Sequence, residues 1–285
     1  MKSEDITGKE FSNLSERTIH DFGIQWSKFA SVDSWAIPDE LFSSITPPFA
    51  APEDIRGKKI AEIGAGSGNM TLQLLAASPS MLVAVEPSKA MEVLKRNTRE
   101  HADRIQYVNN TGEFLPRDLG LDWVFSIGVI HHIPDPEPTV RAAYEALRPG
   151  GEVLFWLYGK EGNRIYLFFV EPLRLLTKKL GHQALSLLSY FILPLIYLYM
   201  VVAKVLPVPL ANYVKNVLWR MPVQGVRLVI YDQLNPHYAR YYTQEEAQAL
   251  LCKAGFVDIR TYQRLGYSWT VYGRKPIHIA SSKGK

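Results

Sequence analysis

Three closely spaced glycines, Gly64, Gly66 and Gly68, could bring the backbone against a bound ligand. Glycine has no Cβ and tolerates positive φ angles, so main-chain N–H groups in such a loop can approach a ligand directly. The loop follows an apolar run at residues 58–63 that predicts a buried strand, and it precedes a predicted helix at residues 69–77. The first N–H groups of a helix lack intrahelical partners. This context predicts a ligand-binding turn and fits several cofactors.

The spacing of the glycines and a neighbouring acid narrow the choice of ligand. A dinucleotide fingerprint, Gly-x-Gly-x-x-Gly, would place its third glycine at position 69, which is Asn69 in this chain. Glu62 stands two residues before the first glycine, where a carboxylate would repel a pyrophosphate. The same carboxylate suits a ligand that carries an ammonium and a sulfonium. S-adenosylmethionine (SAM) is such a ligand, and we expect Ala65 to contact it together with the glycines.

Glu86 ends the second predicted strand, residues 81–85. A carboxylate at that strand end can accept hydrogen bonds from both hydroxyls of a ribose. The ribose of SAM is therefore the expected partner of Glu86.

These motifs resemble the class I SAM-dependent methyltransferases, of the type 11/12 kind. The glycine loop with its acid looks like the first motif of that class, and residues 122–136 look like its fourth strand and following loop. Residues 147–151 look like the turn before its fifth strand. Three segments, at residues 22–26, 158–163 and 235–243, look like a bacterial subgroup. Some members of that subgroup lie in cell-surface polysaccharide loci.

The resemblance implies roles for the remaining cofactor contacts. In the family, the loop that contains Thr111, Gly112 and Glu113 meets the adenine. Thr111 stands where an aspartate is usual, so the backbone N–H of Gly112 would serve in place of that side chain. The residues expected to line the methionine end of SAM are Ser126, Ile127 and Gly128.

The acceptor side must hold a nucleophile in line with the methyl group and exclude water. A hydroxyl acceptor also needs a base. His132 is the first candidate, because its loop follows the segment that would line SAM, and His131, Tyr158 and His237 are further candidates. The His-His pair also occurs in family members with many different acceptors, and His237 could instead cap or pack. The histidines show no metal-ligand spacing, so no metal site is predicted.

Alternating strands and helices must position these residues. The pattern predicts a Rossmann-like α/β fold with a doubly wound, mostly parallel sheet of about seven strands. The predicted parts are an aromatic leader (residues 1–57), a SAM-binding core (58–159), an apolar helical insertion after strand five (160–226) and a segment that completes the core (227–285).

Local signals predict three finer features. Residues 39–45 in the leader favour a short helix. Pro149, Gly150 and Gly151 predict a turn before the fifth strand. Thr243 and Glu246 fit a capping box at the start of the last helix.

The insertion leaves three alternatives open. Residues 184–203 carry no charge and are about as long as a membrane-spanning helix. The insertion could be a lid over the acceptor pocket, a lid that also lies at a lipid headgroup layer, or a spanning helix. Pro194 disfavours the span, and a single span would separate two halves of one α/β domain. We therefore favour a lid, with peripheral membrane contact through residues 184–203 as the second alternative.

The composition of the chain indicates its cellular location and the kinds of molecule that it could bind. The N-terminal residues lack the apolar core of a signal peptide, and a single cysteine, Cys252, excludes an internal disulfide. We expect a cytoplasmic protein, with the inner face of the membrane as an alternative location. The expected acceptor is a small molecule, a glycan or a lipid-like compound. Nucleic acid is not expected, because the chain lacks a basic and aromatic stripe. The alternative functions are a SAM-binding protein without catalysis and a nicotinamide-dependent oxidoreductase.

Overall fold

The structure is a computed structural model that describes residues 8–28, 38–177, 180–235 and 238–277. In this part of the chain, seven strands form one sheet. The strands are β1 (Lys59–Ile63), β2 (Met81–Val85), β3 (Ile105–Val108), β4 (Leu121–Ile127), β5 (Leu147–Tyr158), β6 (Val257–Arg264) and β7 (Ser268–Arg274).

The order of the strands is β3-β2-β1-β4-β5-β7-β6. The first five run parallel, whereas β7 is antiparallel to both β5 and β6. The apolar runs of β1 and β2 are almost wholly buried, as is typical of parallel strands that are covered on both faces. The predicted Rossmann-like α/β fold is confirmed.

Helices account for most of the remaining described residues. The helices are α1 (Gly8–Lys28), α2 (Pro38–Ile45), α3 (Pro52–Ile55), α4 (Asn69–Ala76), α5 (Ala90–Asn97), α6 (Glu137–Ala146), α7 (Arg164–Thr177), α8 (His182–Val205), α9 (Ala211–Asn216), α10 (Val223–Leu234) and α11 (Gln244–Lys253).

Two hydrophobic clusters cover the two faces of the sheet. Successive residues of β1 alternate between them, so that Ile60 belongs to one cluster and Ala61 to the other. Residues of α6 and α11 complete the cluster of Ala61, and residues of α2 to α5 complete the cluster of Ile60. This two-sided burial fixes the strand ends from which the glycine loop and Glu86 emerge.

The capping box at the start of α11 is confirmed. The backbone N–H of Glu246 donates to the Thr243 hydroxyl at 3.2 Å, and the Thr243 N–H donates to the Glu246 carboxylate at 2.9 Å. The predicted short helix in the leader is also present, as α2.

The predicted turn at residues 149–151 is wrong, because this segment lies inside β5. The pairing of β4 with β5 shifts there, from Leu121 with Leu147 to Trp123 with Glu152, which makes a bulge. Lys275 holds the bulged backbone. Its carbonyl accepts from the Gly150 N–H at 3.0 Å, and its N–H donates to the Gly151 carbonyl at 2.8 Å. The turn residues are therefore used to bend a strand rather than to end one.

Helix α1 was not predicted and changes the role of the leader. It packs against α5, where Gly23 lies so close to Ser88 that an added Cβ would come within 3.1 Å of the Ser88 Cβ. Gln25 donates to Asp232 of α10 at 2.8 Å. Helix α1 thus bridges the α/β core and the insertion.

The insertion after β5 is helical, and its helices build a third hydrophobic cluster of their own. Helix α10 packs on α8 and continues to Leu234, so the predicted boundary at residue 226 falls inside this helix. Arg174 of α7 donates to the Gln233 carbonyl at 2.7 Å, which ties the first helix of the insertion to the last.

Candidate active site

A cavity of about 540 Å³ lies at the carboxyl ends of β1, β2, β4 and β5. Its floor consists of the glycine loop and the loops that follow β2 and β4. Helix α1 and the insertion form the opposite walls. The residues that these two elements contribute include Ile19, Phe22, Trp26, Val170, Ile192, Ile196, Tyr213, Val226 and Asp232. The insertion therefore covers the strand ends, where open α/β sheets bind ligands.

The glycine loop adopts backbone angles that favour glycine. Gly64, Gly66 and Gly68 have φ angles of +80°, +54° and +95°. A Cβ at Gly64 would lie 2.2 Å from a methyl carbon of Val129, so the loop can cross the end of β4 only without a side chain there. Gly64, Ala65 and Gly66 line the cavity.

Gly68 has a different role from the other two glycines. It does not line the cavity and instead precedes α4, where a Cβ would lie 2.9 Å from the Leu94 side chain. The structure therefore places Gly68 in the packing of α4 on α5, away from the predicted cofactor contact.

Glu86 stands at the end of β2, buried and on the cavity wall. One of its carboxylate oxygens accepts from the Gly66 N–H at 2.9 Å. The other accepts from the backbone N–H of Ser88 at 2.9 Å and from the Ser88 hydroxyl. These bonds fix the carboxylate between the glycine loop and the start of α5, where the ribose of a nucleoside ligand would lie.

Glu62 is buried at the end of β1 and lines the same cavity. Burial raises the pKa of its carboxyl to about 7, against a lowering by the hydrogen bond from Thr71, and the charge of Glu86 raises it further. The Thr71 hydroxyl donates to Glu62 at 2.5 Å. A cationic ligand group nearby would favour the ionised carboxylate.

The loops after β3 and β4 hold most of the other predicted cofactor contacts. Thr111, Gly112 and Glu113 line the cavity, and a Cβ at Gly112 would lie 2.6 Å from Thr139 of α6. Ser126 does not line the cavity, because its hydroxyl donates to the Ile63 carbonyl at 3.1 Å and joins β4 to β1. Ile127 at the end of β4 and the two residues that follow it, Gly128 and Val129, do line the cavity.

His132 lines the cavity beyond this loop. Its Nδ1 lies 2.9 Å from the Tyr238 carbonyl oxygen. A carbonyl oxygen can only accept, so Nδ1 carries the proton and Nε2 carries the lone pair. Burial lowers the pKa of His132 below its ordinary value, and the charge of Asp232 partly opposes this. The imidazole is therefore neutral at neutral pH and can act as a base through Nε2.

His131 and Tyr158 occupy different positions from His132. His131 is fully buried, stacks on Tyr158 with ring centroids 3.8 Å apart, and does not line the cavity. Burial lowers the pKa of His131 well below its ordinary value. Burial and the charge of Asp232 raise the pKa of Tyr158, which lines the cavity, well above its ordinary value. Tyr158 therefore stays protonated and can donate a hydrogen bond. The fourth candidate, His237, lies outside the described residues.

Asp232 is a cavity residue that the sequence reading missed. It lies on α10, accepts from Gln25 at 2.8 Å and accepts from the Tyr158 hydroxyl at 3.2 Å. A signal was present in the sequence, because Asp232 is the single acidic residue between Glu171 and Glu245. An isolated acid in an apolar helical segment indicates a functional carboxylate.

Acidic groups outnumber basic ones on the described wall of the cavity, where four carboxylates face one guanidinium. That guanidinium, of Arg264, is already held by the carbonyl and hydroxyl of Ser44 and by the Tyr267 hydroxyl. Such a wall attracts a sulfonium and an ammonium and disfavours a pyrophosphate. The four carboxylates belong to Glu62, Glu86, Glu113 and Asp232.

The folded chain also brings together a histidine and carboxylate cluster that the sequence spacing did not predict. His20, Asp21 and His182 offer ligand atoms within 4.8 Å of one another. His182 Nε2 lies 3.3 Å from Asp21, and its Nδ1 lies 2.6 Å from the Tyr231 hydroxyl. The contact with Asp21 ties α1 to the insertion, and the contact with Tyr231 joins α8 to α10 within the insertion.

Comparison with known proteins gives the class of this site. Residues 61–153 match the family model of a methyltransferase domain. A tRNA U34 carboxymethyltransferase of Desulfotalea psychrophila is 32% identical over 126 residues, which are 41% of this chain and 38% of that protein. A ubiquinone biosynthesis O-methyltransferase of Aromatoleum aromaticum is 30% identical over 118 residues, 41% of this chain and 50% of that protein. The similarity to these relatives thus spans half their length or less.

A solved structure supports the fold over a longer stretch. The SAM-dependent methyltransferase of Thermotoga maritima superposes with a TM-score of 0.51 at 17% identity, covering 88% of this chain and 95% of that one. Residues 61–153 thus match a methyltransferase domain, and the chain shares the fold of this SAM-dependent methyltransferase. The cofactor of the family is SAM.

The protonation of Glu62 predicts a pH-dependent affinity for S-adenosylhomocysteine (SAH), the demethylated product of SAM. Because the pKa of Glu62 is raised to about 7, its carboxylate is lost as the pH falls through that value. A neutral carboxyl cannot attract the ligand's ammonium, so the dissociation constant should rise by up to about tenfold per pH unit below pH 7. Calorimetric titrations between about pH 8 and pH 6 measure this dependence.

Two variants separate Glu62 from the other acids of the cavity. Glu62→Gln should bind SAH more weakly at high pH and lose the pH dependence, while Glu113→Gln should keep it. An unchanged slope in Glu62→Gln would assign the titration to another group.

Proposed function

We propose that this chain transfers the methyl group of SAM to a hydroxyl oxygen of a lipophilic small molecule held in the cavity. SAM supplies an electrophilic methyl carbon whose bond to sulfur breaks as the acceptor oxygen attacks, and the electron pair stays on the sulfur. The acceptor proton then needs a base. The observation that carries the proposal is His132, with Nδ1 fixed by the Tyr238 carbonyl and Nε2 available to accept that proton.

The other polar groups at this end of the cavity support a hydroxyl acceptor. The protonated Tyr158 hydroxyl donates to Asp232 at 3.2 Å and orients that carboxylate, which can stabilise the imidazolium that His132 becomes. Gln233 donates to the Tyr158 hydroxyl at 3.1 Å and so holds it in position. The group thus combines a neutral base with a positioned carboxylate that can stabilise the protonated form of that base.

The apolar walls support a lipophilic acceptor. Isoleucines, valines and aromatic rings of α1, α8 and α10 line the part of the cavity beyond His132. The described cationic group on the wall, Arg264, is engaged by its neighbours, so a phosphate of a nucleic acid finds no free partner there. The relatives named for ubiquinone biosynthesis O-methylation support a lipophilic hydroxyl acceptor for this chain as well.

The rival functions differ in what the cavity must bind. A nicotinamide dinucleotide would bring its pyrophosphate against Glu62 and Glu86. A SAM-binding protein without catalysis would have no need of a base with a fixed tautomer. The two curated relatives described above are matched over half their length or less, and one of them is named for tRNA, so their names support an acceptor class at most.

The test is methyl transfer into separated acceptor fractions. The purified chain is incubated with methyl-labelled SAM and, in turn, with a bacterial lipid extract, a glycan fraction, water-soluble metabolites and tRNA. We expect label in the organic phase, in a product that survives mild alkali, because an ether is stable there and a methyl ester is not. Label confined to tRNA or to the glycan fraction, or an alkali-labile product, would contradict the proposal.

A further inference from the structure

The outer faces of α7 and α8 expose large apolar side chains. Among the described helices, α8 is long and apolar enough to cross a membrane. An 18-residue stretch of it has a mean hydropathy of 2.1, yet only 17% of that stretch is buried inside the protein. Phe168, Phe191 and Val205 are 74%, 70% and 81% exposed. Exposed apolar surface on this scale marks an interaction site rather than ordinary surface. The other exposed members of this outer face are Ile165, Phe169, Leu175, Leu176, Leu187, Leu195, Leu198 and Val201.

The exposed side chains fall on one stripe of each helix. In α7 they recur at three-, four- and seven-residue steps from Ile165 to Leu176, and in α8 they do so from Leu187 to Val205. Such steps keep residues on a single helix face. Each of the two helices therefore has an apolar stripe on its solvent-exposed face, where a solvated helix would carry polar side chains.

The opposite face of α8 is attached to the protein along its whole length. Leu185 and Ser189 near its start, and Met200 and Ala203 near its end, are buried. Its middle, at Ile192, packs in the hydrophobic cluster of the insertion. A helix held at both ends in this way cannot cross a bilayer without leaving its partners, so its outer face can meet lipid only in the plane of the surface.

The charge of the insertion matches an anionic surface. Residues 160–226 contain eight lysines and arginines and two glutamates, whereas the whole chain has a formal net charge of +4. The positive charge of the chain is therefore concentrated in the insertion. Residues 184–203 are uncharged, and the exposed basic residues Arg164, Lys204, Lys215 and Arg220 precede or follow them in the insertion. An apolar stripe with a basic margin is the pattern of a helix that lies on anionic lipid.

We propose that the outer face of α7 and α8 docks on the surface of an anionic phospholipid bilayer. The cavity adjoins this face. Leu173 of α7 lines the cavity and is also 36% exposed, so a hydrocarbon chain could pass from lipid to the acceptor end at this point. Continuity of the face with the cavity favours lipid over a second copy of the chain. The docking itself does not rest on the proposed methyl transfer.

Vesicle cosedimentation of the full chain tests the docking. We expect the chain to pellet with vesicles that contain phosphatidylglycerol, to pellet much less with pure phosphatidylcholine, and to be partly released by salt. The double variant Phe169→Glu with Phe191→Glu should lower the partition coefficient roughly tenfold or more, because both side chains would enter the acyl boundary. The matched control Ile277→Glu alters an exposed apolar residue outside the insertion and should bind as the unaltered chain does.

Two further measurements, SAH binding and sedimentation velocity, complete the test. SAH binding by the double variant would show that its fold and cofactor site are intact. A loss of docking can then be distinguished from a failure of the proposed function. No pelleting of the unaltered chain, or equal pelleting of the double variant, would overturn the docking. Sedimentation velocity that shows a dimer in the unaltered chain and a monomer in the double variant, without vesicle binding, would instead assign the face to a second copy.

Discussion

Replacing His132 with alanine is expected to lower turnover at least tenfold and to leave the affinity for SAH within about twofold of the unaltered chain. The variant removes the nitrogen that would accept the acceptor proton, whereas the glycine loop and Glu86, which would hold the cofactor, are untouched. Methyl transfer to the acceptor fraction that takes the label, with SAH calorimetry on the same samples, measures both quantities. His101→Ala is the matched control, because His101 does not line the cavity.

The pH profile distinguishes a base from a residue that only packs. Burial lowers the pKa of His132, so kcat/KM for the acceptor should be flat at and above neutral pH and should fall as acid protonates Nε2. The measurement uses saturating SAM, so that the titration of Glu62 does not contribute to the profile. His132→Ala should lose that acid limb. Normal turnover in the variant would remove His132 from the mechanism, and a lower rate with an unchanged acid limb would assign it to packing.

Glu86→Gln is expected to weaken the binding of SAH by roughly 10- to 100-fold. Hydrogen bonds to a charged group contribute about 1.5–3 kcal/mol each, and glutamine keeps the shape while it loses the charge and one of the two acceptors. The remaining amide oxygen can still accept from the Gly66 N–H, so the loop should stay in place. Calorimetric titration of the variant with SAH gives the change in dissociation constant.

A matched control shows whether the effect belongs to the site. Glu92→Gln alters an exposed carboxylate of α5 that pairs with Lys95, and SAH binding should be unchanged. Affinity in Glu86→Gln equal to that of the control would show that the ribose is held elsewhere.

The α/β core could be predicted because local signals and tertiary packing agree there. Apart from Lys59 and Glu62, the runs of β1 and β2 are apolar on both faces, which is what a central parallel strand needs. The loop at Gly64 to Gly68 joins a strand to a helix, and this allows few conformations. The capping box of Thr243 and Glu246 is a purely local device, so its sequence signal was sufficient.

The features that the sequence reading missed depend on contacts between distant segments. Helix α1 places Phe22 and Trp26, four residues apart on one face, against the cavity, and the sequence reading overlooked this helical spacing. The bulge in β5 depends on Lys275, more than 120 residues away from Gly150. Asp232 has a functional position only because α10 carries it back over the strand ends.

The insertion shows a further limit of sequence reading. Helix α8 is apolar on all sides, so its sequence does not tell which face is buried. The structure divides it into a face that packs in the insertion, at residues such as Met200, and an outer face that includes Phe191. That division argues against the spanning alternative and leaves the lid and the interfacial lid, which differ only in what the outer face touches.

Titration of the pure protein with SAH in a calorimeter is the most direct test of the account. The glycine loop, Glu62 and Glu86 together predict a saturable heat of binding with one site per chain, and competition when SAM is already present. Absence of any heat with both compounds, or binding that is displaced by a nicotinamide dinucleotide, would contradict the assignment of this cavity to SAM.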